Sequence, residues 1–358
     1  MQRLDEKTWI DKKIPEVFEH VQRGKRLKNA DHVPGVMPYV SSTANNNGVD
    51  DYIEATPGTR VFSDCISLAN SGSVGTAFYE PFHYVASDHV TSLKKEGLTA
   101  QQYLFLTSVV EKQGVNFNFN REINNARISN MRVLLPVTDN GEPDYEYMEQ
   151  YAAEARKVKL AKYLEYVQKR IDKLGNYVNI PSLDEKEWKP FLIESLFDSI
   201  VPGKISNASQ LVKDEFGSIE YIAATNRNNG VLYFLQENDQ SIKKLQDGNC
   251  IGFIKDGNGS AGYAIYKQEK FASTVNVIYG YASWLNRYSG LFFVAAQDKI
   301  EDKYGHGYKR KQEHLKADKI MLPVNETGKP DFEYMEQYSK NMMLRKYQQY
   351  LAFLDTKR

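Results

Sequence analysis

The chain has 358 residues, of which 41% are hydrophobic and 26% charged, and its formal net charge is zero. This length favours two globular domains, and the composition excludes a fibrous or disordered protein. No run of 18 apolar residues and no apolar leader is present, so neither a membrane span nor secretion is expected. A neutral chain is unusual for a nucleic-acid-binding protein, although local charge matters more than the sum.

The first element is a polar segment that ends in a tryptophan, residues 4–9, and it recurs as residues 183–188. A longer match pairs residues 135–151 with residues 322–338 in one register, without a gap. Self-similarity of this kind indicates two copies of one structural unit of about 180 residues. The ends of the two units align closely, whereas residues 99–133 and 281–319 show no match.

A β-rich middle follows the opening segment in each unit. Strands are predicted where β-branched and aromatic residues concentrate between Gly, Asn and Asp, at residues 61–69, 77–90, 250–255 and 263–279. Cys65 and Cys250 occupy corresponding positions in this region. A short helix is expected near residues 101–112 and near residues 282–295.

Each unit is predicted to close with a long helix, which Pro143 and Pro330 precede and which Asp144 and Asp331 cap. A helix over residues 145–174 would be about 45 Å long. Its apolar positions alternate in steps of four and three, an a/d pattern that favours packing against another helix. The a/d positions are Leu160, Leu164, Val167, Ile171 and Leu174, and in the second helix Met343, Tyr347, Tyr350 and Leu354, with Leu351 corresponding to Leu164.

These features predict an α/β (α+β) fold with two tandem domains, whose long helices pair as an antiparallel coiled-coil spacer. Packing of each helix on its own domain is the alternative. Gly175-Asn176 is suited to end the first helix, and no third element is expected after the second. The predicted boundaries are residues 1–142 for the first domain, 143–176 for its helix, 177–182 for a linker, 183–329 for the second domain and 330–358 for its helix.

The junction before each helix carries a family resemblance. Residues 133–137 and 319–324 are each followed by Gly-x-Pro-Asp and by a helix start containing Tyr-Met-Glu. This pattern resembles the specificity (S) subunits of restriction–modification systems, over nearly the whole chain and in two copies. The form Gly-x-Pro-Asp-(Tyr/Phe)-x-Tyr-Met is most similar to the Bcg-like type IIB subunits, and a type I subunit is the alternative.

The resemblance implies that each unit is a target-recognition domain reading one half of a split site in double-stranded DNA. It also implies that the helices set the distance between the halves and dock methyltransferase subunits or a fused nuclease–methyltransferase. Such a subunit is non-catalytic and cytoplasmic. A stand-alone DNA-modifying enzyme and a non-specific nucleic-acid or protein adaptor are the rival hypotheses.

The sequence offers little support for catalysis. Residues 257–262 match G-x-G-x-x-G, but a strand and not a helix is predicted to follow, so a tight loop is favoured over a dinucleotide site. Neither Pro143-Asp144 nor Pro330-Asp331 has the Glu-x-Lys of a nuclease, and no methyltransferase loop is present. The six histidines and two cysteines lack metal-ligand spacing. No catalytic residue, metal or cofactor is therefore expected.

Three segments of each unit are candidates for DNA contact. Residues 303–314 combine glycine, tyrosine and basic side chains, and the corresponding residues 116–127 are rich in Asn and Arg, which can read adenine and guanine. The Asn-rich turns and the early Gly-Lys loops are the other two, with an ordinary hairpin turn as the alternative for the former. The predicted contact residues are Lys25, Arg26, Ser42, Thr43, Asn45, Asn46, Asn118, Asn120 and Arg121, and in the second unit Lys204, Thr225, Asn226, Arg227, Asn228, Tyr304, His306, Tyr308, Lys309, Arg310 and Lys311.

Overall fold

Each unit is closed by a pairing between its first and last strands. Strand β1 (Trp9–Lys13) runs antiparallel to β10 (Arg132–Pro136), with Trp9 opposite Pro136. The Trp9 indole N–H donates to the carbonyl of Leu4 at 3.0 Å, which holds the opening segment against the strand. The second unit repeats this arrangement with β11 (Trp188–Leu192) and β20 (Lys319–Pro323).

The computed structural model describes residues 2–356 apart from 119, 210, 258 and 306. The chain divides into two compact units, Met1–Tyr166 and Val167–Arg358. No helix among the described residues is long and apolar enough to cross a membrane.

Besides β1 and β10, the first unit has two four-stranded sheets, with strand orders β2-β9-β6-β7 and β4-β3-β8-β5. The strands are β2 (His20–Arg23), β3 (Pro34–Val40), β4 (Val49–Ile53), β5 (Val61–Phe62), β6 (Cys65–Ala69), β7 (Ala77–Glu80), β8 (Tyr84–Ala86) and β9 (Val90–Lys94). The helices are α1 (Ile14–Val17), α2 (Ala100–Glu111), α3 (Asn125–Asn130) and α4 (Tyr145–Leu174), the last of which continues into the second unit from Val167 onwards. All neighbours are antiparallel except β3 and β8, which run parallel.

The second unit has the same two sheets, with orders β12-β19-β16-β17 and β14-β13-β18-β15. Its strands are β12 (Ser199–Pro202), β13 (Ile219–Ile222), β14 (Val231–Leu235), β15 (Leu245–Gln246), β16 (Cys250–Ile254), β17 (Ala264–Lys267), β18 (Phe271–Ser273) and β19 (Val277–Tyr281). Its helices are α5 (Asp239–Lys243), α6 (Arg287–Gln297), α7 (Gln312–Ala317) and α8 (Phe332–Thr356). The predicted α/β class with two tandem units is confirmed.

The region in which the two sequences diverge keeps the same backbone. Helix α2 begins after Thr99 and α6 after Asn286, and both residues form reciprocal capping boxes, with Gln102 and Ser289 respectively. Helix α3 aligns with α7 in the same register as the longer sequence match, and strand β10 aligns with β20. Different side chains therefore satisfy the same backbone groups in the two copies.

Both long helices begin, and the first of them ends, where the capping residues predict. The Asp144 carboxylate accepts from the Tyr147 N–H at 2.9 Å and Asp331 from the Tyr334 N–H at 3.0 Å. Gly175 follows α4 with a φ of +75°, a conformation that glycine adopts without strain. Helix α4 covers the predicted 30 residues.

The predicted a/d positions of the helices are less exposed than their neighbours. Val167 and Leu174 are buried, and the other seam residues of α4 are half-buried: Leu160, Leu164 and Ile171. In α8 the half-buried positions include Tyr347, Leu351 and Leu354, whereas Tyr350 is exposed. The less exposed face of α8 therefore includes Leu351 and not Tyr350. Pairing of the two helices as a coiled coil stays a prediction.

Candidate nucleic-acid interface

One loop of the first unit is hydrogen-bonded to several of the candidate segments. The segment 70–75, between β6 and β7, connects to the Asn-rich turn because the Ser73 N–H donates to the Ser42 carbonyl at 2.9 Å. The Asn70 N–H donates to the His89 carbonyl at 2.7 Å, and the Asn70 carbonyl accepts from the Ile123 N–H at 2.9 Å. The Asn-rich turn, the β8–β9 turn and the segment after residue 121 therefore meet at one end of the sheets.

The early Gly-Lys loop joins the same end. A Cβ on Gly24 would lie 2.1 Å from the Ser87 carbonyl oxygen, and on Gly203 2.0 Å from that of Thr274, so both positions require glycine. The Lys25 N–H donates to the Ala86 carbonyl at 3.2 Å. Because of these close approaches, Lys25 lies next to the β8–β9 turn, and Lys204 lies next to the corresponding β18–β19 turn.

The second unit has the corresponding loop, residues 257–262 between β16 and β17. A strand follows it, so the tight-loop interpretation is confirmed for this glycine-rich motif. The Ser260 hydroxyl donates to the Asn226 side-chain oxygen at 3.1 Å, which fixes the Asn-rich turn. The Gly262 carbonyl accepts from Arg310 at 3.1 Å, and the Lys255 carbonyl accepts from the Arg310 N–H at 3.0 Å.

The Asn-rich turns owe their shape to left-handed backbone. Asn46, Asn47, Asn228 and Asn229 have φ between 48° and 52°, a region that Asn tolerates better than most residues. The Thr43 hydroxyl oxygen accepts from the Asn45 N–H at 3.1 Å, and Thr225 repeats this contact in the second unit. The asparagines thus have a structural role in the turn. All four are exposed residues, although the Asn229 amide donates to the Tyr266 carbonyl at 3.0 Å.

A tight hairpin lies at equivalent places in the variable segments. Asn118 and Arg121 exchange two backbone hydrogen bonds, and Gly305 and Tyr308 do the same at the aligned positions of the second unit. The predicted contact residue His306 lies outside the described residues. Lys309 is exposed and pairs with Asp256 at 2.5 Å.

The structure contradicts the prediction that Arg310 and Tyr304 contact DNA. Arg310 is 0% exposed, and its guanidinium pairs with the equally buried Asp318 at 2.8 Å. The Tyr304 hydroxyl donates to the same carboxylate at 2.8 Å. Burial lowers the pKa of Arg310 and raises the pKa of Tyr304, to which Asp318 adds. Both side chains support the loop from inside.

The first unit fills the same interior positions with apolar side chains. The residues aligned with Tyr304, Arg310 and Asp318 are Phe117, Ile123 and Met131, which pack in or against the hydrophobic core. A buried ion pair in one copy is thus replaced by hydrocarbon in the other. The side chains beneath the loop thus differ in chemistry between the two units, whereas the secondary-structure elements correspond.

Most of the other predicted contact residues are at the surface. Ser42, Thr43 and Thr225 are half-buried. The exposed ones are Lys25, Arg26, Asn45, Asn46, Asn118, Asn120, Arg121, Lys204, Asn226, Arg227, Asn228, Tyr308, Lys309 and Lys311.

Sequence reasoning missed one residue at this end of the first unit, His89. Its Nδ1 lies 2.6 Å from the Ser71 hydroxyl, and half of its side chain is exposed beside Asp88. No sequence motif identifies His89. It is separated along the chain from loop 70–75 by strands β7 and β8, and the two come together only when the strands pair. Among the described residues, no cluster of His, Cys, Asp and Glu suits a metal ion.

Both units match the family model of the type I restriction modification DNA specificity domain, over residues 6–166 and 185–350. The chain therefore belongs to this family of DNA specificity domains, which confirms the resemblance identified from the sequence. One relative is the specificity subunit S.BcgI of a type II restriction enzyme from Heyndrickxia coagulans, 32% identical over 153 residues. That match covers 42% of this chain and 44% of the relative, so it spans less than half of the relative's length.

Two solved structures align with nearly the whole chain at low identity. The S subunit of a type I system from M. genitalium gives a TM-score of 0.48 at 14% identity, covering 100% of this chain and 94% of the other. The HsdS subunit from Thermoanaerobacter tengcongensis gives 0.31 at 13% identity, covering 98% and 91%.

Proposed function

We propose that this protein is the non-catalytic specificity subunit of a restriction–modification complex, and that each unit reads one half of a bipartite DNA target. One observation carries the proposal: two DNA specificity domains with corresponding strands and helices present different side chains on equivalent hairpins. Two copies reading the same sequence would need no such difference. The local excess of exposed Lys, Arg and Asn at these loops suits phosphate and base contacts in spite of the neutral total.

In this proposal the exposed candidates divide between the two half-sites. Residues of the first unit, such as Asn118, Asn120 and Arg121, contact one half, and Tyr308, Lys309 and Lys311 contact the other. The long helices, residues 143–176 and 330–358, pair with each other, set the spacing and dock the methyltransferase or fused nuclease–methyltransferase. The match to the specificity subunit of a type II enzyme favours a type II assembly, for which the family resemblance implies a fused nuclease–methyltransferase, and separate type I subunits are the alternative. The complex acts in the cytoplasm.

The test is a selection from a duplex library with two randomised blocks separated by spacers of fixed but different lengths. The full chain is used alone and in the complex that it forms with a co-purifying methyltransferase or fused nuclease–methyltransferase subunit. We expect two different half-sites to be enriched at one spacer length. Enrichment of no sequence, or of one contiguous block, would overturn the proposal.

Two measurements separate the rival functions. Stoichiometric binding of S-adenosylmethionine by the isolated chain would favour a modifying enzyme over a specificity subunit. Competition with random DNA at increasing salt distinguishes a non-specific adaptor, because counterion release makes non-specific binding fall steeply with salt. A specific complex should retain its selected target at salt concentrations that release random DNA.

A further inference from the structure

The last residue of each variable hairpin places a planar group over an aromatic ring. The Arg121 guanidinium lies 5.7 Å from the centroid of the Phe117 ring. In the second unit the Tyr308 ring stacks on Tyr304 at 5.6 Å with 5° between the planes. Both members of the first pair align with those of the second, so the two units repeat one geometry with different chemistry.

The inner ring of each pair is fixed by the interior of its unit. Phe117 packs against the core that contains Ile123 and Met131, and Tyr304 donates to the buried Asp318. The outer group therefore stands on an immobile platform, and little conformational freedom remains to be lost when it binds a ligand.

The outer groups are open to solvent. Tyr308 is 46% exposed, and His314 stacks on its ring at 4.8 Å. Arg121 is exposed and forms no ion pair with any described residue. By contrast, the guanidinium of Arg127 donates to the carbonyl of Glu122, and that of Arg132 pairs with Asp11. Arg121 thus keeps its donors for a partner outside the chain.

We infer that positions 121 and 308 are equivalent specificity-determining positions, with Arg121 selecting a guanine in the first half-site and Tyr308 a different base in the second. This inference rests on the proposed function. Arginine is suited to guanine because its fork of donors matches the O6 and N7 acceptors in the major groove. The ring of Tyr308 offers an apolar edge and a hydroxyl group, which cannot reproduce that bidentate contact.

The test repeats the library selection with the full chain in its methyltransferase complex, comparing Arg121→Ala and Arg121→Lys with the wild type. Arg121→Lys keeps the charge but removes the fork. We expect both variants to lose about tenfold to hundredfold discrimination for guanine at one position of the first half-site. The second half-site should be unchanged. Arg132→Ala is the matched control, because it also removes one exposed charge, but its guanidinium is already paired with Asp11 and it lies outside the candidate contact segments.

The second unit supplies a gain-of-function test. Tyr308→Ala should relax one position of the second half-site, and Tyr308→Arg should make that position select guanine. Both side chains are exposed, so thermal unfolding should be unaffected. Unchanged selection by the Arg121 and Tyr308 variants, or an equal loss of binding to all sequences, would overturn the inference. Failure of the wild type to select two half-sites would instead overturn the proposed function, so the two failures are distinguishable.

Discussion

Asp318 is the residue on which the interior of the second variable loop depends. Its carboxylate pairs with Arg310 and accepts from Tyr304, and Lys303 approaches it from the surface at 2.7 Å. Taking such charges out of water is costly, and the cost is offset only while every partner is present. The first unit avoids it with Ile123 and Met131.

Removing this carboxylate alone should strongly destabilise the chain. We expect Asp318→Asn to lower the free energy of unfolding by about 3–5 kcal/mol, because the Arg310 charge stays buried without its counter-ion. The measurement is urea unfolding followed by fluorescence of Trp188 and Trp284, which lie in the second unit. Asp11→Asn is the matched control and should cost less than about 1 kcal/mol, because the Asp11–Arg132 pair is exposed.

Replacing the whole network is expected to be tolerated. The triple variant Tyr304→Phe, Arg310→Ile, Asp318→Met reproduces the interior of the first unit. Apolar replacement of a buried ion network is often neutral or stabilising by about 1–4 kcal/mol. A triple variant as unstable as Asp318→Asn would show that the two loop interiors are not interchangeable.

A second buried ionisable group, Glu80, makes stability depend on pH. Burial raises its pKa to about 7, against the opposing hydrogen bond from Ser67. The folded chain then retains a proton that the unfolded chain has already released near the ordinary glutamate pKa of 4.5. The contribution of Glu80 to stability is therefore fully present below that value and is lost as the pH rises through about 7.

The neutral variant Glu80→Gln should remove this dependence. We expect the urea midpoint of the wild type to fall between pH 5 and pH 8, and that of Glu80→Gln to change less. Circular dichroism of the full chain measures both. Glu142→Gln, at an exposed position, is the control and should behave like the wild type. An identical pH profile for Glu80→Gln and the wild type would contradict the assignment.

Among the elements, the start of each long helix is tied to the opening segment of its unit. Lys7 pairs with Asp144 at 2.7 Å and donates to the Val137 carbonyl, and Lys186 makes the same two contacts with Asp331 and Val324. The aspartate thus acts both as helix cap and as counter-ion. The sequence predicted the cap but not the lysine, which lies at the opposite end of the unit along the chain.

Two substitutions separate these roles. Asp144→Ala removes the cap and leaves Lys7 without its counter-ion, so it should cost about 2 kcal/mol or more in the free energy of unfolding. Asp144→Asn keeps an equally good cap and should cost less. Chemical denaturation measures both, with the exposed Asp139→Ala as control. Equal losses for the Asn and Ala variants would show that the cap contributes nothing.

The repeat, the β-rich middle and both long helices were predictable because they follow from local patterns and internal matches. The correspondence of the variable segments could not be predicted, because aligned positions carry unrelated side chains. Thr99 and Asn286 both cap a helix. Ile123 and Arg310 both fill a buried position. Arg310 was mistaken for a DNA contact because a basic, glycine-rich segment looks the same whether exposed or buried. Its partner, Asp318, lies just beyond that segment.

For the whole molecule, the proposed spacer helices lead to a prediction about target length. Inserting one heptad into both α4 and α8 keeps the a/d pattern and lengthens each helix by about 10.5 Å. If the helices set the spacing, the selected half-sites should move apart by about three base pairs, at about 3.4 Å each. Insertion into α4 alone is the control and should abolish selection of a single spacing. An unchanged spacing in the double insertion would contradict the role of the helices.

The pairing of first and last strands, β1 with β10 and β11 with β20, also bears on inheritance. Every strand pairing described in either unit is internal to that unit. A DNA segment that encodes one unit therefore carries all the strand pairings which that unit needs. Recombination near residues 177–182 would therefore transfer one unit with its described strand pairings and leave the pairings of its neighbour intact. If each unit reads one half-site, as proposed, exchange of whole units would give new bipartite specificities without a new point mutation.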